Sequence, residues 1–208
     1  MYSQLLPLAV LFLGAGAQSY GFWFQPAATI TTLNVTMVIP SIPASSGIHY
    51  IWPGLQPDSD LIVFQDVGGD EDGSGAWTFA EWEVDSNGTI RHKTNDIDVK
   101  MKVLGTGVNV CPAVYPGDSI AISFDLDTAT GTWLDEWAIT PGSTGKGAGE
   151  VFSITDVIVP ESRAAAYGNL TEALFIIETY GGTWDFGHLV FNDITIVAET
   201  TETDWCKS

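Results

Sequence analysis

Two apolar stretches each run into polar side chains capable of chemistry. Leu61-Ile62-Val63-Phe64 ends in Gln65 and Asp66, and Leu174-Phe175-Ile176-Ile177 ends in Glu178, with Tyr180 two positions on. A carboxyl group among apolar residues holds its proton to higher pH and can serve as a general acid or base near neutrality. An uncharged amide can donate to an oxygen that gains negative charge. His49 and Tyr50 precede the stretch Ile51-Trp52-Pro53-Gly54-Leu55-Gln56 and add two more donors. Other chemistries lack their residues. No serine lies in a GxSxG elbow, and two cysteines without a CxxC or HxxxH pattern make no zinc site. Asp70-Glu71-Asp72-Gly73 lacks the spacing of a calcium loop and reads as a solvated turn. His188 opens a strand and His92 lies in a polar turn, so His49 has the best claim among the histidines. No cofactor and no metal are expected.

The elements that must hold these groups are strands. Runs rich in Val, Ile, Thr and aromatic residues between Gly, Pro, Asp and Asn clusters cover Thr29–Ile39, His49–Trp52, Leu61–Gln65, Ala76–Val84, Ile97–Val103, Ser119–Leu126, Thr132–Thr140, Val151–Val159, Ala173–Thr179 and His188–Ala198. Only Glu161–Asn169 suggests a helical turn. Short strands between frequent turns predict an all-β, antiparallel sandwich or jelly roll. Alternation puts Leu61, Val63 and Gln65 on one face and Ile62 and Phe64 on the other. It likewise separates Trp77, Phe79, Glu81 and Glu83 from Thr78, Ala80, Trp82 and Val84. Both faces of these strands are largely apolar, as expected of a covered sheet or of one that curves into a lined groove. An aromatic groove with a few polar groups has the composition of a small-molecule or oligomer site.

Composition limits the partners. The 208 residues carry 26 acidic and 7 basic side chains, a net charge of −19. A nucleic-acid backbone or an anionic membrane surface would be repelled. An apolar run from Leu5 to Leu13 followed by Ala15-Gly16-Ala17 reads as a signal peptide over residues 1–17. It is too short to span a bilayer, so no membrane insertion is expected. Residues 18–208 then form one domain, secreted or held in the lumen of the secretory pathway. Sequons at Asn34, Asn87 and Asn169 fit that compartment as glycosylation sites, and in an oxidising setting Cys111 and Cys206 read as one disulfide.

The segments VTMVIPSIPAS, YIWPGLQ with LIVFQ, WTFAEWEV, YPGDSIAISF, ALFIIE and FGHLVFNDITI follow one another in an order that resembles the fungal glutamic peptidases, the eqolisins, over about residues 29 to 198. The resemblance implies a concanavalin A-like sandwich and matches Gln65 and Glu178 to a catalytic glutamine–glutamate pair. Asp66-Val67 after the glutamine, Tyr180 after the glutamate and the poorly matched opening QSYGFWFQPAATI depart from that pattern. In its layout and its aromatic content the chain also looks like the hetero-Diels–Alderases of tropolone–sesquiterpenoid biosynthesis. That likeness implies a cofactor-independent biosynthetic enzyme that joins a tropolone-derived quinone methide to a humulene-type sesquiterpene. Its partners would be hydrophobic small molecules, with Gln65, Glu178, His49 and Tyr50 as catalytic groups and Trp52, Trp77, Trp82, Tyr180 and Trp184 as substrate-binding walls. An acid glutamic endopeptidase is the second expectation, and a secreted glycan-binding module that stacks sugars on tryptophan the third.

Overall fold

The computed structural model describes residues 17–70, 77–85, 90–92, 112–143, 153–158 and 168–206. Twelve strands fill these segments: β1 (Ala17–Phe24), β2 (Ile30–Val38), β3 (Ile48–Gln56), β4 (Ile62–Asp70), β5 (Trp77–Asp85), β6 (Ile90–His92), β7 (Ala113–Val114), β8 (Ser119–Asp127), β9 (Thr132–Thr140), β10 (Ser153–Ile158), β11 (Glu172–Tyr180) and β12 (Val190–Ala198). They form two antiparallel sheets. One has seven strands, in the order β1-β11-β3-β4-β5-β6 with β7 also on β5; the other has five, in the order β10-β9-β8-β2-β12. A 3-10 turn at Asp204–Cys206 is the one helical element among the described residues. The expected all-β, antiparallel sandwich is what the chain forms.

Nine of the ten strands read from the sequence have counterparts, and Ile97–Val103 lies outside the described residues, as do residues 161–167 of the expected helical turn. Two strands run longer than their sequence signal. β3 continues through Pro53 and Gly54, and β4 continues past Gln65 through Asp66, Val67 and two glycines. Pro53 lacks a ladder donor and glycine lacks a side chain to pack, so sequence reasoning stops there. Registered pairing on both sides of each strand overrides those local costs. β1 was not expected. Its eight residues begin at Ala17, the last residue of the expected signal peptide, and pair with β11 from Ala17 opposite Tyr180 to Phe24 opposite Ala173.

Period-two alternation sorts side chains between the sheets and the outer face. Leu33, Val35 and Met37 of β2, Ile120, Ile122 and Phe124 of β8, and Trp133, Trp137 and Ile139 of β9 point inward to meet Ile51, Leu55, Phe64, Phe79, Phe175 and Ile177 of the seven-stranded sheet. Fully burying such aliphatic and aromatic groups contributes about 1.5–3 kcal/mol each. The layer between the sheets also holds polar ties. The Trp137 indole donates to Glu81 Oε1 at 2.6 Å, joining β9 of one sheet to β5 of the other.

Candidate functional site

The outward face of the seven-stranded sheet carries a second, separate apolar cluster: Trp52, Val63, Val67, Ala80, Trp82, Val84, Leu174 and Ile176, with Trp23 and Tyr50 packed against it. The register arranges these residues in rows across the sheet. Glu178 lies opposite Tyr50, Ile176 opposite Trp52, and Leu174 opposite Gly54, which is in turn opposite Gln65, and Gln65 opposite Trp82. Gln65 and Glu178 therefore share one face of one sheet. Both are buried, with 7% and 9% of their surface exposed. Glu178 stands two strands and four residues away from Gln65, roughly 10 Å across and about 13 Å along the strands. Trp52 occupies the middle of that diagonal, on the strand between them.

Burial is the main force on the Glu178 carboxyl. It pushes the pKa up to about 7, against the opposing pull of the Trp52 indole and the Tyr180 hydroxyl. The Tyr180 hydroxyl donates to Glu178 Oε2 at 3.5 Å, a long bond. Burial, and then the nearby Glu178 charge, hold the Tyr180 proton on to higher pH than usual. Tyr50 closes this corner, with its ring 5.0 Å from that of Trp82 and 5.9 Å from that of Tyr180. The Gln65 amide makes no side-chain hydrogen bond among the described residues. Its neighbour Gly54 allows the close approach: a Cβ there would collide with the Phe64 carbonyl and come within 3.2 Å of Gln65 Cβ.

Three residues expected in this site lie elsewhere. His49 falls on the inward face, level with Thr179 and Asp70, and is fully buried. Its Nδ1 is 3.5 Å from Asp70 Oδ2, its Nε2 is 3.4 Å from Ser45 Oγ, and its ring meets Phe186 edge-on. It belongs to the layer between the sheets and the loop above, one residue out of phase with Tyr50. Trp77 shares that inward side, where its indole donates to the Ser41 carbonyl at 3.2 Å and its ring meets Phe186. Trp184 is 44% exposed, donates to the Gly187 carbonyl at 2.7 Å and packs beside Tyr20 and Phe186. Tyr50, Trp52, Trp82 and Tyr180 do share the outward face, Tyr50 and Tyr180 at the Glu178 end, Trp82 level with Gln65 and Trp52 between.

A polar cluster escaped the sequence reading. Glu172 lies opposite Gln56, one row beyond Leu174 and Gly54 on the same face. Its carboxyl accepts from Gln25 Nε2 at 2.5 Å and Gln56 Nε2 at 2.7 Å, and Gln56 also lies 2.8 Å from Asp60 Oδ1. Burial raises the Glu172 pKa, the Gln56 bond lowers it, and the charges of Asp60 and Asp58 add to the rise. The available signal was Gln56 itself, a polar residue ending the apolar IWPGL stretch as Gln65 ends LIVF.

The two described sequons fall apart from this face. Asn34 and Thr36 line a shallow groove of about 380 Å³ on the outward side of the five-stranded sheet, with Ala121, Ser123, Glu136 and Ala138. Asn169 is exposed beside β11 and donates to Thr29 Oγ1 at 2.9 Å. Asn87 lies outside the described residues. So does Cys111, and with it the expected disulfide; Cys206 is exposed. No group of three or more metal-ligating side chains occurs among the described residues, and no described helix is long and apolar enough to cross a membrane.

No protein-family profile matches the chain, and no curated protein does. Solved structures do match in fold. Scytalido-glutamic peptidase bound to a transition state analog inhibitor superposes over 88% of this chain and 81% of its own, at 17% identity and a TM-score of 0.53. SCP-B, a member of the eqolisin family of peptidases in complex with the tripeptide Ala-Ile-His, covers 88% of this chain and 80% of its own, at 16% identity and a TM-score of 0.49. The chain thus has the all-β fold found in glutamic peptidases.

Proposed function

We propose that the chain is a secretory-pathway biosynthetic enzyme that holds two apolar reactants on the outward face of its seven-stranded sheet, a hetero-Diels–Alderase joining a tropolone-derived quinone methide to a humulene-type sesquiterpene. The observation that carries this reading is the residue level with Gln65. Across Gly54 stands Leu174, fully buried and apolar, where a carboxylate would be needed to share one water molecule with the amide. Of the two buried carboxyls on this face, Glu172 accepts from Gln25 and Gln56, while Glu178 sits by an aromatic corner of Tyr50, Trp52 and Tyr180 and keeps its proton to about pH 7. Such a group can protonate a departing hydroxyl. Elimination of water from a hydroxymethyl-tropolone then leaves the quinone-methide heterodiene, and no nucleophile is required for its addition to an alkene. Alignment of diene and alkene by apolar walls supplies the rest, with an upper range of roughly 7–11 kcal/mol for ideal positioning. The test is incubation of the purified full chain with both reactants. A single stereoisomeric adduct formed faster than in buffer supports the proposal, and a racemic adduct at the background rate removes it.

A glutamic endopeptidase is the second reading. It is favoured by the shared fold and by Gln65 and Glu178 lying buried on one face. Incubation with a denatured protein at about pH 3–4, where Glu178 is protonated, decides it. Substrate left intact rules the peptidase out.

A further inference from the structure

We infer that the groove on the outward side of the five-stranded sheet is the bed of a sugar chain carried by Asn34, holding its first two N-acetylglucosamine units against the protein. The inference rests on the secretory-pathway part of the proposed function and is independent of the reaction. Asn34-Val35-Thr36 is a sequon within β2, and alternation sends its acceptor and its hydroxyl residue to the same outward face, where both line the groove. The Asn34 side chain has no hydrogen-bond partner among the described residues. Attachment of a sugar through its nitrogen therefore breaks no bond of the described fold, whereas the Asn169 amide is already held by Thr29 Oγ1.

The sheet is shaped beside the sequon. Asn192 of β12 lies level with Thr36 and Thr195 with Asn34, so Asp193 and Ile194 intervene on β12 where β2 has only Val35. Such a bulge re-aims a side chain, and Asp193, whose backbone takes the left-handed φ of 53°, lines the groove. Away from the bulge the floor is made of small side chains. Thr36 is level with Ala121 and Ala121 with Ala138, while Asn34 is level with Ser123 and Ser123 with Glu136. From β2 to β9 is two strand spacings, about 10 Å, a span for two linked pyranose rings. The volume of about 380 Å³ falls within the range of small-molecule sites. The methyl groups of Ala121 and Ala138 offer contact to the C–H face of a sugar. The Ser123 hydroxyl and the carboxylates of Glu136 and Asp193 offer acceptors to its hydroxyls and N-acetyl amide. None of the lining residues is a cation, which favours a neutral, hydroxyl-rich occupant over an anionic one.

The full chain, secreted from a eukaryotic host, tests this by digestion with peptide N-glycosidase F, which must reach the sugar–asparagine bond to cut it, followed by glycopeptide mass spectrometry. Asn34 should carry a glycan, released from native protein about tenfold more slowly than from denatured protein, the factor set by lifting sugars held through one or two neutral hydrogen bonds. Ala121→Trp fills the floor of the groove at an exposed position, leaving the core in place. Its Asn34 glycan should still be added, and should leave the native variant at the denatured rate. An unmodified Asn34, release from the native wild-type chain as fast as after denaturation, or undiminished protection in Ala121→Trp overturns the inference. If the variant does not fold, the native and denatured rates of the wild-type chain decide alone. A protected glycan with only background adduct removes the reaction and leaves the sugar bed standing, and an unmodified Asn34 with catalysed adduct does the reverse.

Discussion

Leu174 and Gln65 stand level with one another across Gly54, on three adjacent strands of the seven-stranded sheet. A water-activating amide–carboxyl dyad would need its carboxyl close enough to share one water molecule with Gln65. The amide has an aliphatic neighbour where such a dyad would need a carboxylate; of the carboxyls on its face, Glu178 lies beyond Trp52, and Glu172 lies one row past Leu174, bonded to Gln56. A bound reactant that touches both Gln65 and Glu178 must be large enough to span the indole.

The first prediction concerns protonation of Glu178. With its pKa near 7 the carboxyl is an acid below neutrality and a carboxylate above it. Adduct formation, corrected for the buffer reaction, should therefore be flat at low pH and fall about tenfold per unit well above pH 7. Glu178→Gln should abolish that inflection and lower the rate by about a hundredfold. A wild-type profile without an inflection between pH 6 and 8, measured by product formation, contradicts the acid role.

The same shift makes a stability prediction of opposite sense to most carboxylates. The folded pKa of about 7 exceeds the ordinary 4.5, so the folded state binds the proton more tightly than the unfolded chain. Stability from this group is fully present below about pH 4.5 and is lost as pH rises through 7. The full span corresponds to about 3 kcal/mol. Urea unfolding at pH 5 and pH 8 should show wild type losing ground to Glu178→Gln between the two, and parallel behaviour would show that the carboxyl is not desolvated.

His49 supplies a contrast between sequence and structure. It sits one residue from Tyr50, and proximity along the chain suggests a shared role, but a strand sends neighbours to opposite faces. With its ring beside Asp70, Ser45 and Phe186, His49→Ala should cost about 2–4 kcal/mol by emptying a packed, polar position. Adduct formed per folded molecule should stay within about twofold of wild type, judged against the fraction folded by circular dichroism. A large loss in fully folded protein would return His49 to the chemistry.

What the sequence made legible follows from periodicity. Alternation assigned Gln65 and Val63 to one face, Ile62 and Phe64 to the other, and Trp82 away from Phe79, each as the sheets have them. The resemblance matched positions 65 and 178 as a pair; they share a face but stand two strands and four residues apart, with Leu174 level with Gln65. Alternation within a strand says nothing about its phase relative to another strand, and that phase decides the site. It sent Trp77 and His49 between the sheets, put Trp184 beside Tyr20, and brought Gln56 against Glu172. Those positions depend on hydrogen-bond register between strands more than a hundred residues apart, such as β3 and β11. Local signals also failed at Pro53-Gly54 and Gly68-Gly69, residues that weaken a strand in isolation and continue it when both neighbours are in place.

Gly54 is where fold and site depend on the same atom. A Cβ added there would strike the Phe64 carbonyl on the backbone and press on Gln65 Cβ at 3.2 Å. The backbone has no flexible end that can give way, so β3 and β4 must part locally, at a cost of about 1–3 kcal/mol. Gly68 is the matched control. A Cβ at that position meets Ile51 Cγ1 at 2.9 Å, a side chain on the inward face that can rotate. Gly54→Ala should therefore destabilise the chain more than Gly68→Ala in urea. It should also slow adduct formation by several-fold in the folded fraction, because the amide at position 65 moves with its strand. Gly68→Ala should form adduct as wild type does. Equal rates in the two variants would mean that the position of Gln65 does not matter to the reactants, and the amide would then be a structural end to its strand.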